Sequence, residues 1–474
     1  MIGSGSGPDV MNTSLRSWLL TFAALLFAAS CAHAPLNQPL LGSVSGRVEL
    51  RSSLPRALNS DELLLVVTLS GGGTRAAAFA YGVLEQLAST EVASSGMTHR
   101  LLDEVDVISA VSGGSFVAAY YGLFGDRIFA DFDDRFLKRD IEAALEWRMM
   151  SPLNWWRLSS ANFGRTDLAA ELYDDTIFDH ASFAALARRP GPLIVINGTD
   201  LTLGANFSFT QDQFDWLCSD LSSYQVARAV ATSSSVPLVF SPLTLANYAG
   251  TCNFHPPFWF RAALDQAGQN THIHTLAAQA ATYLDRDRRP YVHLVDGGVA
   301  DNLGLRAAVD RLLIGQAVEE AVPAALAHAR KVAFIVVNAT LEPDFRWDTR
   351  EEPPPARQII EATAAAIINR YDYETKNQAR RNLQILAQRL LASRCAQTPG
   401  TPQSAAPTTA CDPIEVYFIP VGFDTIDDPV ERVELQRVRT TLALDGDTVD
   451  RLRRVSARAL ARSAEFQRLV RDLQ

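Results

Sequence analysis

Three short stretches carry residue types able to do chemistry. Ser70-Gly71-Gly72-Gly73-Thr74-Arg75 follows one apolar run, Ala110-Val111-Ser112-Gly113-Gly114 follows a second, and Asp296-Gly297-Gly298 follows a third. A serine flanked by small residues between a strand and a helix stands on a tight turn with its hydroxyl exposed as a nucleophile. A glycine triplet at such a junction leaves backbone N–H groups unobstructed at the positive end of a helix, where an oxyanion can rest. The Asp296 turn adds a carboxylate. Together these parts suit acyl transfer by a serine with an aspartate base.

Serine alone is a poor nucleophile, and in the triad template a histidine takes its proton. The order Ser112, Asp296, His328 would imitate an α/β-hydrolase esterase. His328 lies in the Ala-rich stretch from Pro323 to Arg330, however, which is expected to be a helix leading into a strand. His293 falls inside an apolar run and is expected in the core. A dyad is the better account: Asp296 accepts the Ser112 proton directly if the fold joins the two turns, and Gly297 and Gly298 permit the close approach. The N–H groups of Gly71, Gly72 and Gly73 would hold the oxyanion, each worth about 3 kcal/mol in comparable sites. Arg75 is either a contact for a phosphate or carboxylate headgroup or an exposed first-turn arginine. Asp301 and Asn302 suit the cap of the following helix.

The elements that must position these groups read as alternating strands and helices. Leu63 to Leu69 is a continuous apolar run, as for a strand buried on both faces, and Ala76 to Leu87 then shows helical spacing. Further strands are expected over Val105–Val111, Leu193–Asn197, Tyr291–Val295 and Val332–Val337. Further helices are expected from Ser115 to about Leu123, from about Ala356 to Arg394 and from Thr448 to Leu473. The fold class that follows is α/β, a mostly parallel central sheet with helices on both faces and a helical C-terminal portion. His272 and His274 sit two apart, which suits one face of a strand better than a metal site. Trp147, Trp155 and Trp156, with Met149, Met150 and Leu153, form a segment that either acts as a lid dipping into lipid or caps the core.

The order and spacing of these blocks resemble the patatin-like phospholipases, whose core and dyad are similar to those of cytosolic phospholipase A2. That family shows a Gly-rich oxyanion loop, a G-x-S-x-G elbow and a D-G-G/A turn in this order. Here Ala110 replaces the first glycine of the elbow. Ala231-Thr232-Ser233-Ser234-Ser235-Val236-Pro237 with Phe240-Ser241-Pro242 matches a fourth block, and Asn197-Gly198-Thr199-Asp200-Leu201 resembles the strand and turn before it. The resemblance implies a patatin-like fold and a lipid acyl hydrolase acting on phospholipid or lysophospholipid esters. Ser112 and Asp296 would be catalytic and residues 71–73 the oxyanion loop. No metal or organic cofactor is implied, and no carboxylate cluster resembles a calcium loop. A catalytically silent envelope lipoprotein that binds lipid or a partner is the rival from another class.

The 474 residues are 47% hydrophobic and 20% charged, an ordinary globular composition, and the formal charge of -10 argues against nucleic acid as a partner. Arg16 precedes the apolar run from Trp18 to Ala29, about the length of a signal-peptide core. Ala28-Ala29-Ser30-Cys31 resembles the bacterial lipoprotein box, which would make Cys31 the lipidated first residue of the mature chain. The expected destination is the cell envelope, anchored to a membrane (the outer one) and facing the periplasm or exterior, or simple secretion if Cys31 is not lipidated. Residues 1–31 would then be the signal segment, 32–60 a tether, 61–394 the acyl hydrolase domain, and 395–474 a clipped loop plus a strand and helix packed on it. Four cysteines remain beyond Cys31, allowing three pairings, and local closure favours Cys218–Cys252 and Cys395–Cys411.

Overall fold

The structure is a computed structural model that describes residues 34–41, 60, 62–94, 97–265, 271–310, 329–341, 348–349, 351–396 and 413–474. The expected signal segment with Cys31, the tether apart from residues 34–41 and 60, His328 and Cys411 lie outside the described residues, as does the side chain of Cys395.

An eight-stranded sheet organises the chain. Its strands are β1 (Leu63–Leu69), β2 (Val105–Val111), β3 (Leu193–Asp200), β4 (Ala205–Ser208), β5 (Leu243–Ala246), β6 (Tyr291–Asp296), β7 (Lys331–Asn338) and β8 (Glu415–Gly422). They are ordered β8-β7-β1-β2-β3-β6-β5, with β4 paired to β3. The five strands from β8 to β3 are parallel. β6 is antiparallel to both β3 and β5, and β4 is antiparallel to β3. The sheet is therefore mostly parallel with an antiparallel flank.

Burial explains why β1 and β7 read as unbroken apolar runs. Leu65, Val67 and Leu69 of β1 join Ala333, Ile335 and Val337 of β7 in one core. Leu64 and Val66 join Val332, Phe334 and Val336 in a second core on the opposite face. Alternate side chains thus face alternate layers, and both layers are apolar.

The helices that matter for the site are α1 (Gly73–Ser89), α2 (Gly113–Phe124), α3 (Ile141–Met150), α4 (Pro152–Leu158), α5 (Arg165–Thr176), α6 (Val226–Ser233), α7 (Gly298–Asp301), α8 (Ala356–Ala396), α9 (Gly446–Arg462) and α10 (Ala464–Asp472). α1, α2 and α9 contribute Phe79, Val83, Phe116 and Leu452 to the first core, while α8 supplies Leu383, Leu386 and Leu390 to the second.

Several expectations need correction. His293 is exposed on the solvent side of β6, where its Nδ1 lies 3.0 Å from Thr244 Oγ1, because the outer rows of this antiparallel flank are uncovered. His272 and His274 lie on a helix, Thr271–Leu284, rather than a strand. The Trp147–Trp156 segment ends α3 and makes up most of α4; Trp147, Met150, Leu153 and Trp155 are exposed, while Met149 packs on the buried pair Phe163 and Leu168. The expected C-terminal helix is two, broken at Ser463, whose hydroxyl accepts the N–H of Phe466.

Candidate active site

Each candidate group stands on a strand-to-helix turn. Ser112 ends β2 and opens α2 with φ 49° and ψ -119°, a conformation that costs a non-glycine residue on the order of 1–3 kcal/mol and persists only where its surroundings enforce it. The enforcing group is Ser233, at the end of α6. Its Oγ donates to the Asn197 carbonyl at 2.6 Å, so it accepts from the Ser112 N–H at 2.8 Å and from Ser115 Oγ at 2.8 Å. The Ser112 backbone is thereby pinned from outside its own strand.

Asp296 reaches Ser112 because β6 runs antiparallel to β3. Val111 pairs with Asn197 and Asp296 pairs with Gly198, so the two turns leave the sheet at neighbouring rungs on either side of β3. The approach is tight: a Cβ on Gly297 would sit 2.3 Å from the Asn197 carbonyl oxygen. The N–H groups of Asp296 and Gly297 donate to the carbonyls of Ser235 and Ser233 at 3.1 and 3.2 Å. One small-residue segment thus holds both turns.

The Asp296 carboxylate accepts the Gly298 N–H at 2.8 Å, and the Ser112 side chain is its other polar neighbour. Burial pushes the Asp296 carboxyl from its ordinary 3.8 up to about 7, and these two groups pull it back only in part. A base with that affinity is poised to exchange a proton near neutral pH. No histidine is a partner of either group among the described residues.

The glycine loop lies directly against the serine: a Cβ on Gly71 would be 3.2 Å from Ser112 Cβ, and one on Gly113 would be 2.1 Å from the Gly73 carbonyl oxygen. Its three N–H groups are not equivalent. Gly71 donates to the Asn302 carbonyl at 3.0 Å, whereas Gly72 and Gly73 have no acceptor among the described residues. Their φ values of 137° and 62° demand glycine. The Gly71 N–H is therefore committed to holding the loop, while those of Gly72 and Gly73 are left unengaged among the described residues.

Arg75 does not face a headgroup. It is 2% exposed, and its Nε and Nη1 donate to the carbonyls of Ala339 at 3.1 Å and Val438 at 2.8 Å. Burial lowers its guanidinium to about 10. Its Nη2 lies beneath Gly72, where a Cβ would be 2.8 Å away, so it braces the loop from the protein side.

Asp301 caps the following helical turn as expected, accepting the N–H groups of Leu303 at 3.3 Å and Arg306 at 2.7 Å. Asn302 does not. Its Nδ2 donates to Thr340 Oγ1 at 2.8 Å and lies 3.4 Å from Asp372 Oδ2, and Thr340 Oγ1 donates to the same Asp372 oxygen at 2.9 Å. Burial pushes Asp301 up to about 7 and Asp372 up to about 6. Ser233, Asn302, Thr340 and Asp372 were not assigned these roles from sequence. Only Ser233 left a signal, as part of the small-residue block.

The cysteines at 218 and 252 form a disulfide between the segments that follow the β4 hairpin and β5. No cluster of metal-ligating side chains is present among the described residues.

Comparison with known proteins fits this arrangement. The sequence profile of the patatin-like phospholipases matches residues 67–309, just over half of the chain and all three turns. The chain belongs to the patatin-like phospholipase family. Among solved structures, human GIVD cytosolic phospholipase A2 is similar at 13% identity and a TM-score of 0.41, over 95% of this chain and 66% of that one. The same human enzyme in complex with methyl gamma-linolenyl fluorophosphonate is similar at 14% identity and a TM-score of 0.40, over 95% and 63%. The chain thus spans somewhat less than two thirds of those proteins' length. No curated protein matches the sequence.

Proposed function

We propose that this chain is a serine acyl hydrolase that cleaves fatty-acyl esters of phospholipids or lysophospholipids. Ser112 Oγ attacks the ester carbonyl while Asp296 takes its proton. The tetrahedral oxyanion rests on the N–H groups of Gly72 and Gly73 at the start of α1, where the helix dipole adds to the two donors. Asp296 returns the proton to the leaving alcohol, then activates water to release the fatty acid from Ser112. The observation that carries this reading is that the Ser112 and Asp296 turns leave the sheet at neighbouring rungs on either side of β3, with the Asp296 carboxyl buried and raised to about 7. Family membership supports a lipid ester as the substrate.

The lipoprotein-type box ending at Cys31 supports delivery to the cell envelope with a lipid anchor at that residue. No helix among the described residues is long and apolar enough to cross a membrane.

Labelling by a fluorophosphonate probe tests the chemistry, and fatty-acid release from phosphatidylcholine, lysophosphatidylcholine and short soluble esters tests the substrate class. Labelling of the native chain that vanishes in Ser112→Ala is expected. Labelling that persists in the variant, or none in the native chain, defeats the assignment.

A further inference from the structure

Large apolar side chains stand exposed on α3 and α4. Trp147 on α3 is 77% exposed and Leu153 on α4 is 73% exposed, and Met150 and Trp155 beside them are exposed too. Single exposed apolar residues are unremarkable, but a cluster of large ones on consecutive helices marks a surface that meets something.

The chain after α4 ties this cluster to the loop after α6. Arg165 Nη2 donates to the Leu238 carbonyl at 3.2 Å, and the Thr166 N–H donates to Ser241 Oγ at 3.3 Å. That loop turns Leu238, 71% exposed, and Val239 to solvent. Leu238 holds φ 74°, an unfavourable backbone for leucine kept for an outward side chain. Three residues earlier, the Ser235 carbonyl accepts the Asp296 N–H at 3.1 Å. The loop that carries Leu238 is thus tied both to the start of α5 and, through Ser235, to the Asp296 turn.

The N-terminal segment arrives at the same place. The Ala34 N–H donates to the Asn162 carbonyl at 2.7 Å, and Ala34 packs with Phe163 and Leu168 against Met149 and Leu158. Cys31 is three residues earlier in the sequence, a span of about 11 Å at most for an extended chain.

We propose that the face formed by Trp147, Met150, Leu153, Trp155, Leu238 and Val239 seats on a phospholipid membrane surface. The proposal rests on the reading that the substrate is a membrane lipid, and it adds which side of the molecule meets the bilayer. Seating there brings the Ser112 site and the exit toward Cys31 to the same leaflet, so an anchor and the face would act on one membrane. The net charge of -10 gives no general attraction to anionic lipid. Apolar burial and interfacial tryptophan then carry the contact, and it should be nearly insensitive to salt.

The full-length chain on vesicles of phosphatidylcholine brominated in its acyl chains tests this. Bromine quenching of tryptophan fluorescence is expected in the native chain and should fall by about half or more in Trp147→Phe/Trp155→Phe, whose rings keep the shape but not the signal. Independently, Trp147→Ser/Leu153→Ser should lower hydrolysis of vesicle phosphatidylcholine about tenfold or more while leaving turnover of a soluble monomeric ester within about twofold. Equal quenching in the native chain and the Phe variant overturns the proposal, as does a Ser variant whose two activities fall together or not at all. If the native chain hydrolyses neither substrate, the proposed function fails by itself, and the quenching result still decides the face.

Discussion

The Ser233 hydroxyl accepts the backbone N–H of Ser112 at 2.8 Å. A residue outside the strand and helix that flank Ser112 therefore sets the conformation of Ser112. Ser233 spends its own proton on the Asn197 carbonyl at 2.6 Å, so removing the hydroxyl orphans a buried donor and a buried acceptor at once. Ser233→Ala is expected to destabilise the fold by about 1–3 kcal/mol. It should also slow fluorophosphonate labelling by about tenfold or more, because the elbow relaxes away from its productive geometry. Ser115→Ala removes only a hydroxyl that donates to Ser233 and should leave labelling within about threefold, which thermal unfolding and labelling rates will check.

The Asp296 carboxyl, raised by burial to about 7, fixes the acid limb of the pH profile. The base must be ionised to take the serine proton, so kcat/KM on a soluble ester should fall about tenfold per pH unit well below 7 and level off above it. An acid limb centred near 4 would mean that burial does not raise the Asp296 carboxyl.

The same burial has a stability consequence of opposite sense. A carboxyl whose folded pKa lies above its unfolded value binds a proton more tightly in the native state, so its contribution is present below about 4 and is lost as pH rises through about 7. Asp296→Asn, neutral throughout, escapes that loss, and an amide oxygen can still accept the Gly298 N–H. The variant should be inactive yet more stable than the native chain at pH 8, by on the order of 2–4 kcal/mol, with the difference shrinking toward pH 5. Thermal unfolding of both chains across that range measures it. Asp301 and Asp372, also raised, act in the same direction and make the native chain itself less stable as pH rises through 6 to 7.

What was legible in the sequence follows from how locally each feature is encoded. β1 announced itself because every residue from Leu63 to Leu69 is buried, and the turns announced themselves because only glycine and small residues fit them. Strand direction is not a local property, so Tyr291–Asp296 read as one more strand without revealing that it runs antiparallel to β3. Yet that reversal is what brings the Asp296 turn out of the sheet at the rung next to the Ser112 turn. Asn302 has the chemistry of a helix cap and sits where a cap would. Only the distant Thr340 and Asp372, brought in by β7 and α8, reveal that it holds the Gly71 loop.

Arg75 gives the sharpest test of a corrected assignment. A residue that contacts headgroups would change substrate preference when replaced and leave the fold alone. Buried Arg75 instead joins the Gly72 turn to the carbonyls of Ala339 and Val438, across the ends of β7 and the segment before α9. Lysine can replace one of those donors but not the fork that spans both. Arg75→Lys is expected to cost about 1–3 kcal/mol in unfolding and to lower kcat on soluble and lipid esters alike, since the oxyanion loop loses its backing. The ratio of kcat/KM between phosphatidylcholine and phosphatidylglycerol should stay unchanged. A shift in that ratio with an unaltered unfolding temperature would return Arg75 to the substrate surface.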